Sequence, residues 1–95
     1  MLIGSNGVIT FDTLNNQPNG WCEWSFSNSI PSTNLFNNTI FGPYMDIDPS
    51  ISGTGTINYT IFGDAPCRTM VVNFPNIPYY SSICNQYTLT TQIVI

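Results

Sequence analysis

Gly55-Thr56-Ile57-Asn58-Tyr59-Thr60-Ile61-Phe62 is the stretch whose reading decides the fold. Ile57, Tyr59 and Ile61 occupy alternate positions, with Thr56, Asn58 and Thr60 between them. Side chains two apart share one face of an extended chain, and β-branched and aromatic types suit a pleated, half-buried surface. The stretch therefore predicts a strand with one apolar face. Downstream, Arg68-Thr69-Met70-Val71-Val72-Asn73-Phe74 predicts the next strand. Pro75 and Pro78 lack the amide hydrogen a ladder needs, so they predict an extended corner ending at Tyr79-Tyr80. Thr88 to Ile95 predicts the last strand. Upstream, Asn6-Gly7 is a turn dipeptide followed by a strand at Val8-Ile9-Thr10-Phe11. Thr39-Ile40-Phe41 is a short strand ended by Gly42-Pro43. Between them, Asn15 to Asn38 is rich in Asn, Ser and Pro and reads as a long ordered loop pinned by Trp21, Trp24 and Phe26. No segment of helical length carries a 3.6-residue apolar period. The expected fold is all-β, an antiparallel β-sandwich in a single domain over residues 1–95.

Composition narrows the function classes. The 95 residues contain one cation, Arg68, no Lys and no His, with five acidic residues and a formal net charge of −4. General acid–base catalysis runs mostly through His, or through Lys and carboxylates tuned by neighbouring charges. Phosphate and nucleic-acid recognition needs clustered Arg and Lys. The composition argues against an enzyme and excludes a nucleic-acid partner. Charged residues make up 6 %, against about 25 % in an ordinary soluble domain. Asn, Ser and Thr supply about a third of the chain and keep its surface wet. With 42 % hydrophobic and 14 % aromatic residues, the chain carries more apolar mass than disordered segments do. Such a polar-uncharged, Lys-free β chain reads as exported, secreted or held at a cell surface.

No run of about 18 apolar residues is present to cross a membrane. Met1-Leu2-Ile3-Gly4-Ser5-Asn6-Gly7 is no signal peptide, and Gln92-Ile93-Val94-Ile95 stops inside an apolar strand pattern. Together with the exported composition, this predicts an excerpt of a longer protein. The three cysteines leave one unpaired within the excerpt. Cys67 opens a strand and Cys84 sits in the loop after it, so Cys67–Cys84 is the expected disulfide, with about 3 kcal/mol of loop-closure stabilisation. Cys22 would then pair downstream of Ile95. The alternative is three buried reduced thiols. Without His, and without zinc-site spacing, a metal–thiolate centre is not expected.

The order of short segments is also distinctive. Asn6-Gly7 leads a strand to Phe11, and Ile30-Pro31 follows. Then come Ile40-Phe41-Gly42-Pro43-Tyr44-Met45-Asp46-Ile47-Asp48 and Gly55-Thr56-Ile57-Asn58-Tyr59. Arg68–Phe74 with Ile77-Pro78-Tyr79-Tyr80, and finally Gln92-Ile93-Val94, complete the series. This resembles the nidogen-like extracellular module. It looks closest to the version in large secreted, gliding-motility-associated proteins of Bacteroidota with a C-terminal sorting domain, where segments like Ala65–Phe74 recur. Tyr44-Met45 and Phe74 stand where that family usually has Trp, and both exchanges keep an apolar body. The family continues past this last strand, so the resemblance implies an incomplete sandwich lacking C-terminal strands. The edge left open, with no Lys to guard it, is expected to promote self-association.

Several residue groups have both a functional and a structural reading. Asp46 and Asp48 lie on one side of an extended segment, and with Asp64 they offer oxygens to a calcium ion. Structurally, Asp48 would start the turn at Pro49-Ser50 while Asp46 accepts backbone N–H groups. As a glycosidase acid–base couple, the pair is too close in sequence to face across a substrate. Trp21, Trp24, Tyr44, Tyr79 and Tyr80 would form a stacking platform for sugars, or else serve the core, with Tyr79-Tyr80 split one in and one out. Arg68 is expected to pair with Asp46, Asp48 or Glu23. Asn37-Asn38-Thr39 and Asn58-Tyr59-Thr60 match the N-glycosylation pattern, and Asp12-Thr13-Leu14 is similar to a short O-glycosylation pattern of exported Bacteroidota proteins. Two functions remain. One is a non-catalytic module for adhesion or spacing, partnered by neighbouring domains and surface proteins. The other is a carbohydrate-binding module using the aromatics, with or without calcium.

Overall fold

The computed structural model of the protein describes residues 1–20, 29–30, 32 and 37–95. Six strands follow in order: β1 (Leu2–Gly4), β2 (Val8–Thr10), β3 (Thr39–Phe41), β4 (Asn58–Phe62), β5 (Thr69–Pro78) and β6 (Thr88–Val94). They build two three-stranded antiparallel sheets, and no helix forms among the described residues. The all-β expectation holds. The chain divides into two compact units, Met1–Asp46 and Ile47–Ile95.

The first unit carries the sheet β1-β2-β3. β1 and β2 form a hairpin across Ser5-Asn6-Gly7, with the Gly7 amide donating to the Gly4 carbonyl at 3.2 Å. Gly7 takes a φ of 79°, the left-handed position that a three-residue hairpin loop reserves for glycine. The same loop anchors the turn after β3, where Gly42 donates to the Gly7 carbonyl at 2.9 Å and Met45 to the Asn6 carbonyl at 3.2 Å. A side chain on Gly7 would run into the Pro43 ring, whose Cδ lies 2.7 Å from the position of such a Cβ. β2 is the middle strand, and Val8, Ile9 and Thr10 are all buried. Its alternation is loose in sequence because both of its faces are covered. Thr10 tolerates this because its hydroxyl donates to the Asn37 carbonyl at 3.3 Å and accepts from the Asp12 amide at 3.1 Å. Tyr44 is buried at a φ of 41°, an uncommon conformation for a bulky residue. Its ring meets Phe41 edge to face, with centroids 5.1 Å apart.

The second unit carries the sheet β4-β5-β6. Tyr59 pairs with Val72 and Val72 with Ile93, so these three share one face. On that face Val72, Phe74 and Ile93 are buried, forming with Ile47 and Ile77 the core of the unit. The opposite face is mixed, with Thr60, Asn73 and Gln92 beside Phe62 and Val94, which are 57 % and 59 % exposed. There Asn73 donates to Asn58 at 3.0 Å and accepts from Gln92 at 2.6 Å, an amide ladder across all three strands. β4 departs from expectation, since all five of its residues are exposed although its alternation predicts a half-buried strand.

The Pro75–Pro78 corner is also corrected. β5 runs unbroken from Thr69 to Pro78; Pro75 is absorbed by a bulge, and Pro78 ends the strand opposite Thr88. Phe74 pairs with Thr91 and Ile77 with Leu89, so three steps on β5 oppose two on β6. The extra residue resets the alternation and lets Phe74 and Ile77 both face the core, each fully buried. Asn76 adopts a φ of 51° inside the bulge, and its amide donates to the Thr90 hydroxyl at 2.9 Å.

Candidate functional site

β5 separates the residues expected to act together. Its ten residues span roughly 30 Å at the rise of an antiparallel strand. Asp64 lies at one end, two residues after Phe62, which pairs with Thr69. Asp48 lies at the other end, its amide donating to the Pro78 carbonyl at 2.8 Å. Asp48 and Asp64 therefore cannot share one cation. Among the described residues no three acidic or thiol side chains gather around a common point. The calcium set Asp46, Asp48 and Asp64 is not assembled.

Asp48 instead caps a turn. Its carboxylate accepts from the Ser50 hydroxyl at 2.6 Å and the Ser50 amide at 2.9 Å. Those bonds, the hydroxyl foremost, lower its pKa below the ordinary carboxylate value of 3.8. Asp12 is lowered in the same way, mainly by the Asn15 side-chain amide. Lowered folded-state values mean that both carboxylates stabilise the fold above their ordinary pKa. The contribution disappears as pH falls through the lowered values. Ser50→Ala should move the Asp48 titration back up towards 3.8 without changing that of Asp12, read from carboxyl carbon shifts in an acid NMR titration.

The cysteines are separated by the same strand. Cys67 precedes β5, whereas Cys84 lies in the loop closed by Tyr79 donating to Tyr87 at 3.2 Å, just past the other end of β5. A disulfide needs Cα atoms within about 7 Å, so the expected Cys67–Cys84 bridge does not fit this fold. Both are exposed free thiols in the structure, so the alternative of three buried thiols does not hold for these two, while Cys22 lies outside the described residues. Brief alkylation of the native protein should label Cys67 and Cys84 together, and peptide mapping should find no fragment that links them.

The aromatics are partly placed. Trp21 and Trp24 lie outside the described residues, as do Cys22, Glu23, Phe26 and Pro31. Tyr79 is half-buried and bridges to Ile47, while Tyr80 is 63 % exposed. One in and one out is the arrangement the pair suggested. Tyr44 is a core residue. Arg68 is exposed, so its charge is solvated rather than fixed in a part-buried pair. Thr13 and Leu14 lie exposed on a turn. In the second Asn-x-Thr match, Asn58 is committed to the amide ladder and to the Thr56 carbonyl at 2.9 Å.

One concavity was not foreseen. In the first unit a cleft of about 300 Å³ has Leu2 and Ile3 along its apolar side, with Thr10, Asn16, Gln17 and Asn19 supplying uncharged polar groups. Asn16 is held in place by its amide donating to the Asp12 carbonyl at 2.7 Å. The volume sits at the low end for small-molecule sites. Among the described residues its lining carries no charged side chain, and its amides and hydroxyls suit a neutral polar ligand. Only its asparagines, scattered in a loop, could have announced it in sequence.

The strand order, the turn built on Asn6-Gly7, and the bulged β5 thus extend over the whole chain, and so does the family match. The family model described as NIDO related matches residues 1–95. The chain belongs to the NIDO-related family. This nidogen-related module has no match among curated proteins and none among solved structures. No helix among its described residues is long and apolar enough to cross a membrane, which leaves strand-built membrane crossings unaddressed.

Proposed function

We propose that this NIDO-related chain is a non-catalytic extracellular module of a larger secreted or cell-surface protein, serving adhesion or structural spacing. The observation that carries the reading is the family match over residues 1–95. The absence of His and Lys supports it, because most acid–base chemistry has nothing to run on here. The Ala65–Phe74 segment further favours a place in the gliding-motility-associated, sorting-domain proteins of Bacteroidota. Neighbouring domains of the same chain and other surface proteins are the partners such a module meets. In an oxidising compartment a disulfide made by Cys67 or Cys84 would use Cys22 or a cysteine outside residues 1–95, since the two stand at opposite ends of β5. The test is antibody labelling of intact source cells and their medium. Labelling without permeabilisation is expected; signal confined to permeabilised cells would overturn the proposal.

A second reading, a carbohydrate-binding module, is favoured by one observation, the uncharged cleft beside Asn16, Gln17 and Asn19. Neutral sugars are bound by amides and hydroxyls over an apolar floor without any need for charge. Quenching of Trp fluorescence by members of a soluble glycan panel, abolished by Asn16→Ala, would select this reading. Silence across the panel would select the first.

A further inference from the structure

β4 is the outer strand of the sheet β4-β5-β6, paired on one side from Asn58 opposite Asn73 to Phe62 opposite Thr69 and open on the other. Tyr59 and Ile61 are 59 % and 54 % exposed. Yet they lie on the same face as Val72 and Ile93, which are 0 % and 7 % exposed. The apolar face of this sheet therefore continues onto β4, where more than half of each of these two side chains is exposed. Natural edge strands are guarded by charge, by proline or by a bulge. Residues 58–62 contain no charged residue, no Pro and no Gly, and their pairing with β5 is regular.

We propose that β4 joins two copies of this chain, antiparallel and about a twofold axis at Thr60, to make one six-stranded sheet. The segment is complementary to itself in that register. Tyr59 falls opposite Ile61 of the second copy on the apolar face, an aromatic with a β-branched partner, and does so twice by symmetry. On the other face Thr60 meets Thr60 of the second copy, a pairing that hydroxyl groups favour, and the exposed Phe62 stands opposite Asn58 of the second copy, again twice. Charge does not oppose the contact, although the chain carries −4 overall. The nearest charge, Asp64, falls opposite Thr56 of the second copy. The two Asp64 side chains then stand eight ladder steps apart, about 27 Å, well beyond a screening length of about 8 Å at physiological salt. β6, the other edge, offers less. Its inner positions Leu89, Thr91 and Ile93 are already half-buried or buried, and of the outer positions Thr88, Thr90, Gln92 and Val94 only Val94, at the end of the strand, is apolar.

Sedimentation of the full chain over a concentration series tests this. A reversible dimer is expected. Thr60→Lys and Thr60→Glu each place like charges face to face and should weaken the dimer at least about tenfold. Their equimolar mixture should recover it as a heterodimer, while Gln92→Lys on β6 leaves it unchanged. Far-UV circular dichroism confirms that each variant keeps its strands. A monomer up to about 1 mM, or no recovery on mixing Thr60→Lys with Thr60→Glu, would overturn the proposal. Open-ended growth past the dimer would overturn it too, since β4 pairing with β6 of the next copy does not close.

Discussion

Gly55→Ala is expected to destabilise the Ile47–Ile95 unit by about 3 kcal/mol or more, the upper range for forcing extra atoms into a packed site. Gly55 passes directly over the bulge of β5, its amide donating to the Asn76 carbonyl at 3.4 Å. A methyl group there would land on the carbonyl oxygen of Pro75 and 2.7 Å from its carbonyl carbon. Those atoms are backbone. No rotamer change relieves the overlap, so either the approach to β4 or the bulge itself must move. Moving the bulge shifts Phe74 and Ile77 out of the alternation that buries both. A melting temperature lower by about 15 °C follows for a chain of this size. Thr56→Ala, one residue further along and exposed, should stay within about 0.5 kcal/mol. Equal melting curves for the two variants would show that β5 does not bend where the structure puts its bulge.

Phe74→Ala carries the second large effect, an expected loss of about 3–5 kcal/mol. Phe74 is fully buried and is the last residue before the bulge, opposite Thr91. Along β5 it lies between Val72 and Ile77, both also fully buried. Against a total stability of about 5–15 kcal/mol for a domain, that loss would leave the unit marginal. Phe74→Leu, which keeps most of the volume, should lose less than about 1.5 kcal/mol. Urea unfolding of both variants gives the comparison. A loss below about 1 kcal/mol for Phe74→Ala would mean that the face carrying Val72 and Ile93 is not a core.

How legible these features were differs residue by residue. Val8, Thr39–Phe41, Arg68–Phe74 and Thr88–Val94 announced their strands because β-branched and aromatic residues cluster between turn signals. Asn6-Gly7 announced its turn because only glycine takes that φ without strain. β1 was missed, since Leu2–Gly4 is three residues long and too short for any period to show. The bulge was misread as a corner because a proline pair in sequence looks the same whether the chain turns or only slips by one residue. Of the candidate site residues, Asp48 was legible as a turn starter from Pro49-Ser50 beside it, and Tyr79-Tyr80 as a split pair from their adjacency on an extended chain. The pairing of Cys67 with Cys84 and the grouping of Asp48 with Asp64 were not legible. Both rest on distances that sequence separation does not encode.

The sequence by itself determined the β character, the main strands and turns, the shortage of catalytic groups and the family, because each follows from residue type and local spacing. Only the tertiary structure decided which of those residues meet. A ten-residue strand between them placed Cys67 and Cys84 at its opposite ends. One extra residue at Asn76 turned both Phe74 and Ile77 inward. The strand order put Tyr59 and Ile61 at an open edge. Strand length, register and edge position are properties of pairing between distant segments, and local preference is blind to them.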